Sequence, residues 1–135
     1  MIVVDTNVVA YAVLPGARTA SALALAERDP DWLAPSLWRC ELRNVLATLM
    51  RTRGLTLPQA VATFAAAEDL VTDAAREATA EQCLRTAALG GVSAYDAEFV
   101  CVAQALGVPL VSADRRLVRA FPGRVVPLEE VAAGA

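Results

Sequence analysis

Asp5, Glu41, Asp96 and Asp114 are carboxylates in apolar company. Asp5 directly follows the apolar run Ile2-Val3-Val4, and Asp114 follows Pro109-Leu110-Val111-Ser112 and precedes Leu117-Val118. Glu41 has Leu37 and Trp38 one helical turn before it and Asn44 and Val45 one turn after, while Asp96 sits between Val92-Ser93 and Phe99-Val100. At the three- and four-residue offsets where a helix brings side chains together, neither Glu41 nor Asp96 meets an arginine. An unpaired carboxylate in such surroundings costs several kcal/mol unless it is neutralised or holds a cation. Four of them converging favour a divalent metal, and hard oxygen donors without His or Cys select Mg²⁺ or Mn²⁺ over zinc. Such a site suits in-line attack on a phosphodiester, with the metal acidifying a water and stabilising charge on the phosphate. Plainer uses compete at each position: Asp5 and Asp114 as helix N-caps, Asp96 as a first-turn acid, Glu41 bonded to a distant arginine. Taken one at a time these suffice, but they do not explain why two acids follow separate strands while two open out of apolar helical faces.

The rest of the composition narrows the chemistry in the same direction. All 12 basic residues are arginine, with no lysine and no histidine. That removes Ser-His-Asp and Cys-His catalysis, histidine zinc sites, the Walker A loop and Schiff-base chemistry. Cys40, Cys83 and Cys101 form an odd set without CxxC spacing, so they read as reduced, buried, small apolar residues rather than a disulfide framework. The net charge of −3 looks unsuited to a nucleic-acid enzyme, but removing the four candidate site acids leaves 11 acids of the 15 against 12 arginines. Arg115 and Arg116 beside Asp114, and Arg39 and Arg43 flanking Glu41, are the candidate phosphate contacts.

These residues must be positioned by an alternation of short β-branched runs and helices. Strands are predicted at Ile2–Val4, about Trp32–Ala34, briefly at Leu70-Val71, at Pro109–Ser112 and at Val125-Val126. Helices are predicted from about Val8 to Tyr11, Arg18 to Arg28, Ser36 to Arg53 with Gly54 as terminator, Leu57 to Glu68, Arg76 to Leu89, Ala94 to Leu106 with Ser93 as cap, Asp114 to Phe121, and Leu128 to Ala132. This alternation implies a central parallel sheet with right-handed crossovers, an α/β three-layer sandwich, in one domain spanning residues 1–135. In such sheets the site lies beyond the carboxyl ends of the strands, where Asp5 and Asp114 fall.

The hydrophobic fraction of 56% exceeds that of typical soluble chains. The longest uncharged stretch, Phe99 to Ala113, is interrupted by Gly107 and Pro109 and is too short to span a membrane. With no signal-peptide pattern at the N-terminus, a cytoplasmic protein is expected. The excess is assigned to a core and to interfaces. The two helices over Ser36–Glu68 carry Trp38, Leu42, Leu46, Leu49, Met50, Leu57, Val61 and Phe64, either as ordinary packing or as a groove for a partner segment.

The segments IVVDTNVV, CELRNVL and SAYDAEFVCVAQALGVPLVSADRRL, with the length of one compact domain, resemble the PIN-domain ribonucleases, and in particular the VapC toxins of type II toxin–antitoxin pairs. By that resemblance Asp5, Glu41, Asp96 and Asp114 are the family's acidic quartet, Thr6 and Asn7 its first-strand polar pair, and Ser112 stands where Thr is usual. The resemblance implies a Mg²⁺- or Mn²⁺-dependent endoribonuclease acting on tRNA or rRNA, held inactive by a cognate antitoxin, and a homodimer. Asp5 and Asp96 are the expected principal ligands, Asp114 completes the site, and Glu41 either activates water or holds a second metal. A nuclease of the same fold that is not a toxin, and a non-catalytic binding module, are the alternatives. Phosphorelay receivers and haloacid-dehalogenase-like phosphatases need a lysine that this chain lacks.

Overall fold

The computed structural model describes residues 1–134. Five strands, β1 (Ile2–Val4), β2 (Trp32–Ala34), β3 (Val71–Asp73), β4 (Leu110–Ser112) and β5 (Val125–Pro127), form one sheet in the order β3-β2-β1-β4-β5. Every pairing is parallel, with Val3 opposite Leu33 on one side and Leu110 on the other. Parallel sheets are covered on both faces, which is why their inner strands read as unbroken apolar runs. Accordingly β1 and β4 are buried throughout, whereas the edge strand β3 exposes Thr72 and Asp73.

Helices α1 (Thr6–Val13) and α2 (Thr19–Arg28) connect β1 to β2. From β2 to β3 the chain runs through α3 (Leu37–Arg53) and α4 (Leu57–Leu70), and α5 (Ala80–Gly90) and α6 (Ala94–Leu106) carry it back across the sheet to β4. Then α7 (Arg115–Ala120) leads to β5, and α8 (Leu128–Ala132) closes the fold. The helices flank the sheet, giving the α/β sandwich expected from the alternation. Because the chain leaves β1 towards β2 and later returns to place β4 on its other side, the strand order reverses between β1 and β4. The carboxyl ends of those two adjacent strands are where such sheets open a crevice.

Three expectations change. The helix expected from Arg76 begins only at Ala80, because Thr79 and Gln82 make a reciprocal capping box that fixes the start. Cysteine burial divides: Cys83 is buried, Cys101 is partly buried, and Cys40 is exposed on the outer side of α3 beside Arg43. The apolar surplus of α3 and α4 also divides. Trp38, Leu42 and Leu46 are core, and Leu49, Met50 and Phe64 are half-buried. Only Leu57 and Val61 are largely exposed. Among the described residues, no helix is long and apolar enough to cross a membrane.

Candidate active site

Asp5 ends the apolar strand β1 and begins α1. Its Oδ1 accepts the Val8 backbone N–H at 3.0 Å, capping that helix. Asp114 does the same two residues beyond β4, where its Oδ1 accepts from Arg116 N at 2.9 Å and Leu117 N at 3.4 Å. The plain capping use of both residues is therefore real, and it occupies one oxygen of each carboxylate. Asp96 is different. Ser93 is the cap of α6 and accepts the Asp96 backbone N–H at 3.1 Å, which leaves the Asp96 carboxylate out of the cap. Glu41 reaches in from α3, and Thr6 Oγ1 donates to its Oε1 at 2.7 Å.

All four carboxylates line one cavity of about 220 Å³, together with Thr6, Asn7, Asn44, Val45 and Phe99. None of the four forms an ion pair among the described residues. The electrostatic strain is greatest at Asp5, where burial pushes the carboxyl up to about 6. Ser112 and the Val8 N–H pull it down, and the negative charges of Asp96 and Asp114 push it further up. Glu41 is raised by burial and by the charges of Asp96 and Glu98, against the Thr6 hydrogen bond. Asp96 is raised by burial and by Asp114, with Ser93 and Arg116 opposing. Asp114 itself is exposed at the rim, despite the apolar residues that follow it. Ser112 is wholly buried and accepts the Asp114 N–H at 3.0 Å, so this short hydroxyl ties the β4 end to the start of α7.

The donors are hard oxygens and the charge on the cavity is uncompensated, both of which suit Mg²⁺ or Mn²⁺. Among the described residues, no three acidic, histidine or cysteine side chains close into a ready-made ion cage.

The expected arginine contacts separate. Arg39 and Arg43 flank Glu41 in sequence, but two residues along a helix is about 200° of rotation, so they face away from the cavity. Arg39 is committed to Glu68 at 2.6 Å and Asp73 at 3.0 Å and lies over the Trp38 ring. Arg43 lies over Phe64 and lines the apolar groove between α3 and α4. Arg116 lines a recess with Gly91, Ser93, Asp96 and Asp114 that adjoins the acidic cavity. Arg115 faces a different groove, with Arg18 and Arg119. Asn44 and Phe99 are cavity residues that the sequence showed only as neighbours at helical spacing, and Arg18 and Arg119 gave no signal because their placement depends on the tertiary fold.

Residues 2–121 match the PIN domain family. The chain belongs to that family. Its fold is also that of the crystal structure of PAE2754 from Pyrobaculum aerophilum, with a TM-score of 0.81 at 18% identity, covering 98% of this chain and 93% of that one. The structure of FitAB bound to an IR36 DNA fragment is similar at a TM-score of 0.63 and 16% identity, covering 96% of each chain. At these identities the two likenesses speak to the fold alone. No curated protein matches the sequence. PIN domains are generally nucleases, and the acidic cavity lies at the β1/β4 switch point of this one.

Proposed function

We propose that this PIN domain is a Mg²⁺- or Mn²⁺-dependent endoribonuclease and the toxin of a VapBC-type toxin–antitoxin pair. The observation that carries the catalytic part is the convergence of four unpaired carboxylates, from β1, α3, α6 and the β4–α7 corner, on one cavity. Asp5, Asp96 and Asp114 would hold the ion. When bound, a divalent cation acidifies a water and neutralises charge at the scissile phosphate.

The chain's own residues supply the rest. Thr6 fixes Glu41 by its 2.7 Å hydrogen bond, and Glu41 takes up the proton of the attacking water. The water oxygen bonds to phosphorus as the bond to the leaving ribose oxygen breaks, and that oxygen gains a proton from solvent. Arg116, beside Asp96 and Asp114, meets the phosphate charge. Asn7 and Asn44 offer amide donors and acceptors on the cavity wall, and Phe99 and Val45 provide its apolar part. Ser112 stands where the family usually has Thr and keeps the hydroxyl.

The partner reading rests on the apolar groove between α3 and α4, where Met50, Leu57, Val61 and Phe64 offer an antitoxin segment a docking face. A homodimer acting on tRNA or rRNA in the cytoplasm is the accompanying expectation.

The test is cleavage of total RNA by the purified protein with Mg²⁺, Mn²⁺ or chelator, beside Asp5→Asn and Asp96→Asn. Metal-dependent cutting lost in both variants supports the nuclease. Full activity in either variant, or in chelator, overturns it. Growth arrest on expression, relieved by co-expressing a short neighbouring reading frame, separates a toxin from a processing nuclease.

A further inference from the structure

A second concave surface abuts the acidic cavity and has the opposite charge. Arg18, from the segment before α2, and Arg115 and Arg119, one turn apart on α7, line a groove of about 470 Å³ with Ser112, Ala113, Val118, Pro127 and Glu129. Three guanidiniums face one carboxylate there. Arg115 and Arg119 make no ion pair among the described residues. Arg18 is held in place: it donates to the Tyr11 hydroxyl at 3.3 Å, lies over that ring at 5.4 Å, and meets Glu129 at 3.5 Å. Ser112 joins the two sites, because it is one of the residues around the arginine groove while its hydroxyl lies beside Asp5 and accepts the Asp114 N–H. A strand whose scissile phosphate sits among the acids therefore has a positive groove next to it across one buried residue.

We infer that the Arg18–Arg115–Arg119 groove binds a backbone phosphate flanking the cleaved one and so sets the path of single-stranded RNA across the site. The inference rests on the nuclease reading. Guanidinium forks match phosphate oxygens and never deprotonate at working pH. A chain with net charge −3 needs such a local concentration of positive charge to hold a polyanion at all.

The probe is a short fluorescein-labelled single-stranded RNA, titrated by anisotropy against the Asp96→Asn protein with and without Arg115→Gln/Arg119→Gln. Arg51→Gln/Arg53→Gln, an equal charge loss at residues lining neither site, is the control, and unchanged melting temperatures establish folding. Binding is expected to weaken by about tenfold in the groove variant, and the slope of log affinity against log salt to fall by roughly 0.7 for each phosphate that is no longer neutralised. In the otherwise unchanged protein, the groove variant is expected to raise KM for long RNA and leave KM for a dinucleotide unaltered. A protein that cuts RNA while both double variants behave alike overturns the groove and spares the nuclease. One that binds RNA through the groove but cuts none with either metal overturns the nuclease and spares the groove. If it binds no RNA, both fall. If inorganic phosphate stabilises the protein through Arg115 and Arg119 while RNA affinity ignores them, the groove serves a free anion and the inference falls.

Discussion

Asp5→Asn is expected to stabilise the metal-free protein, the reverse of what removing a buried charged group usually does. Asparagine caps a helix as well as aspartate, so the acceptor for the Val8 N–H at 3.0 Å survives. What disappears is a carboxylate held at about 6 instead of 3.8. The sign follows from proton uptake: between pH 3.8 and about 6 the folded protein binds more protons at Asp5 than the unfolded chain does, so stability falls as pH rises through that window. Below it the native carboxyl is neutral and the wild type pays nothing; above it the full penalty applies. A shift of about two units corresponds to roughly 3 kcal/mol. For a chain of 135 residues that is a rise of about 10 °C in Tm, an upper bound because the new amide must also be hydrogen-bonded. Thermal melts in chelator from pH 3.5 to 8 measure it, and the gap between variant and wild type should open across pH 4 to 6 and stay constant above. A variant no more stable than wild type at pH 7.5, or a gap independent of pH, refutes the view of Asp5 as a carboxylate kept under strain for a cation.

Adding Mg²⁺ should close most of that gap, since saturating a site a hundredfold above its Kd contributes about 2.7 kcal/mol to the protein that binds it; Asp96→Asn should show no such shift in the same melts. Thr6→Val deletes the hydroxyl that holds the Glu41 carboxylate down, so the acid limb of the cleavage pH–rate profile should move to higher pH. A limb that stays in place removes Glu41 as the titrating group. Gly90→Ala should destabilise by about 1–3 kcal/mol in chemical denaturation, because the new methyl group would collide with the Phe121 ring. Helix propensity alone gives the opposite sign at this position in α5, so a stabilised variant would show that Phe121 moves aside freely.

The sheet was legible because its inner strands carry a single message. Ile2-Val3-Val4 and Leu110-Val111 are apolar on both faces, and only a covered parallel strand uses such a run. Gly54, Gly91 and Gly107 stand at helix ends with positive φ, and Gly54 marked its boundary in the sequence. The segment before α5 misled, because alanines at 74, 75, 78 and 80 favour helix everywhere while the Thr79 cap selects one start. Spacing singled out four acids that the fold brings to one cavity, since the offsets of a helix and the end of a strand are local facts. It misplaced Arg39 and Arg43, because adjacency in sequence is the opposite of adjacency on a helix. It missed Arg18 and Arg119, whose meeting requires β4, α7 and the start of α2 to be brought together first.

The capping role and the site role of Asp5 and Asp114 support each other. A strand that ends at a switch point must be followed by a helix start, and the exposed N–H groups there attract a carboxylate. One oxygen satisfies the cap and restricts the side chain's rotamer, so the carboxylate is held at a fixed place in the cavity that both residues line. The fold thus orders two of the four acids with interactions that any βα unit needs. The like-charge repulsion that remains is offset by cap hydrogen bonds at Asp5 and Asp114, by Thr6 at Glu41 and by Ser112 at Asp5. Among the described residues no arginine pairs with the four carboxylates: Arg116 borders Asp96 and Asp114 in the adjoining recess, and Arg18, Arg115 and Arg119 gather one groove away. An arginine paired with them would relieve the strain; with charge separated across Ser112 instead of neutralised within one cavity, the carboxylates keep the strain that the proposed cation would relieve.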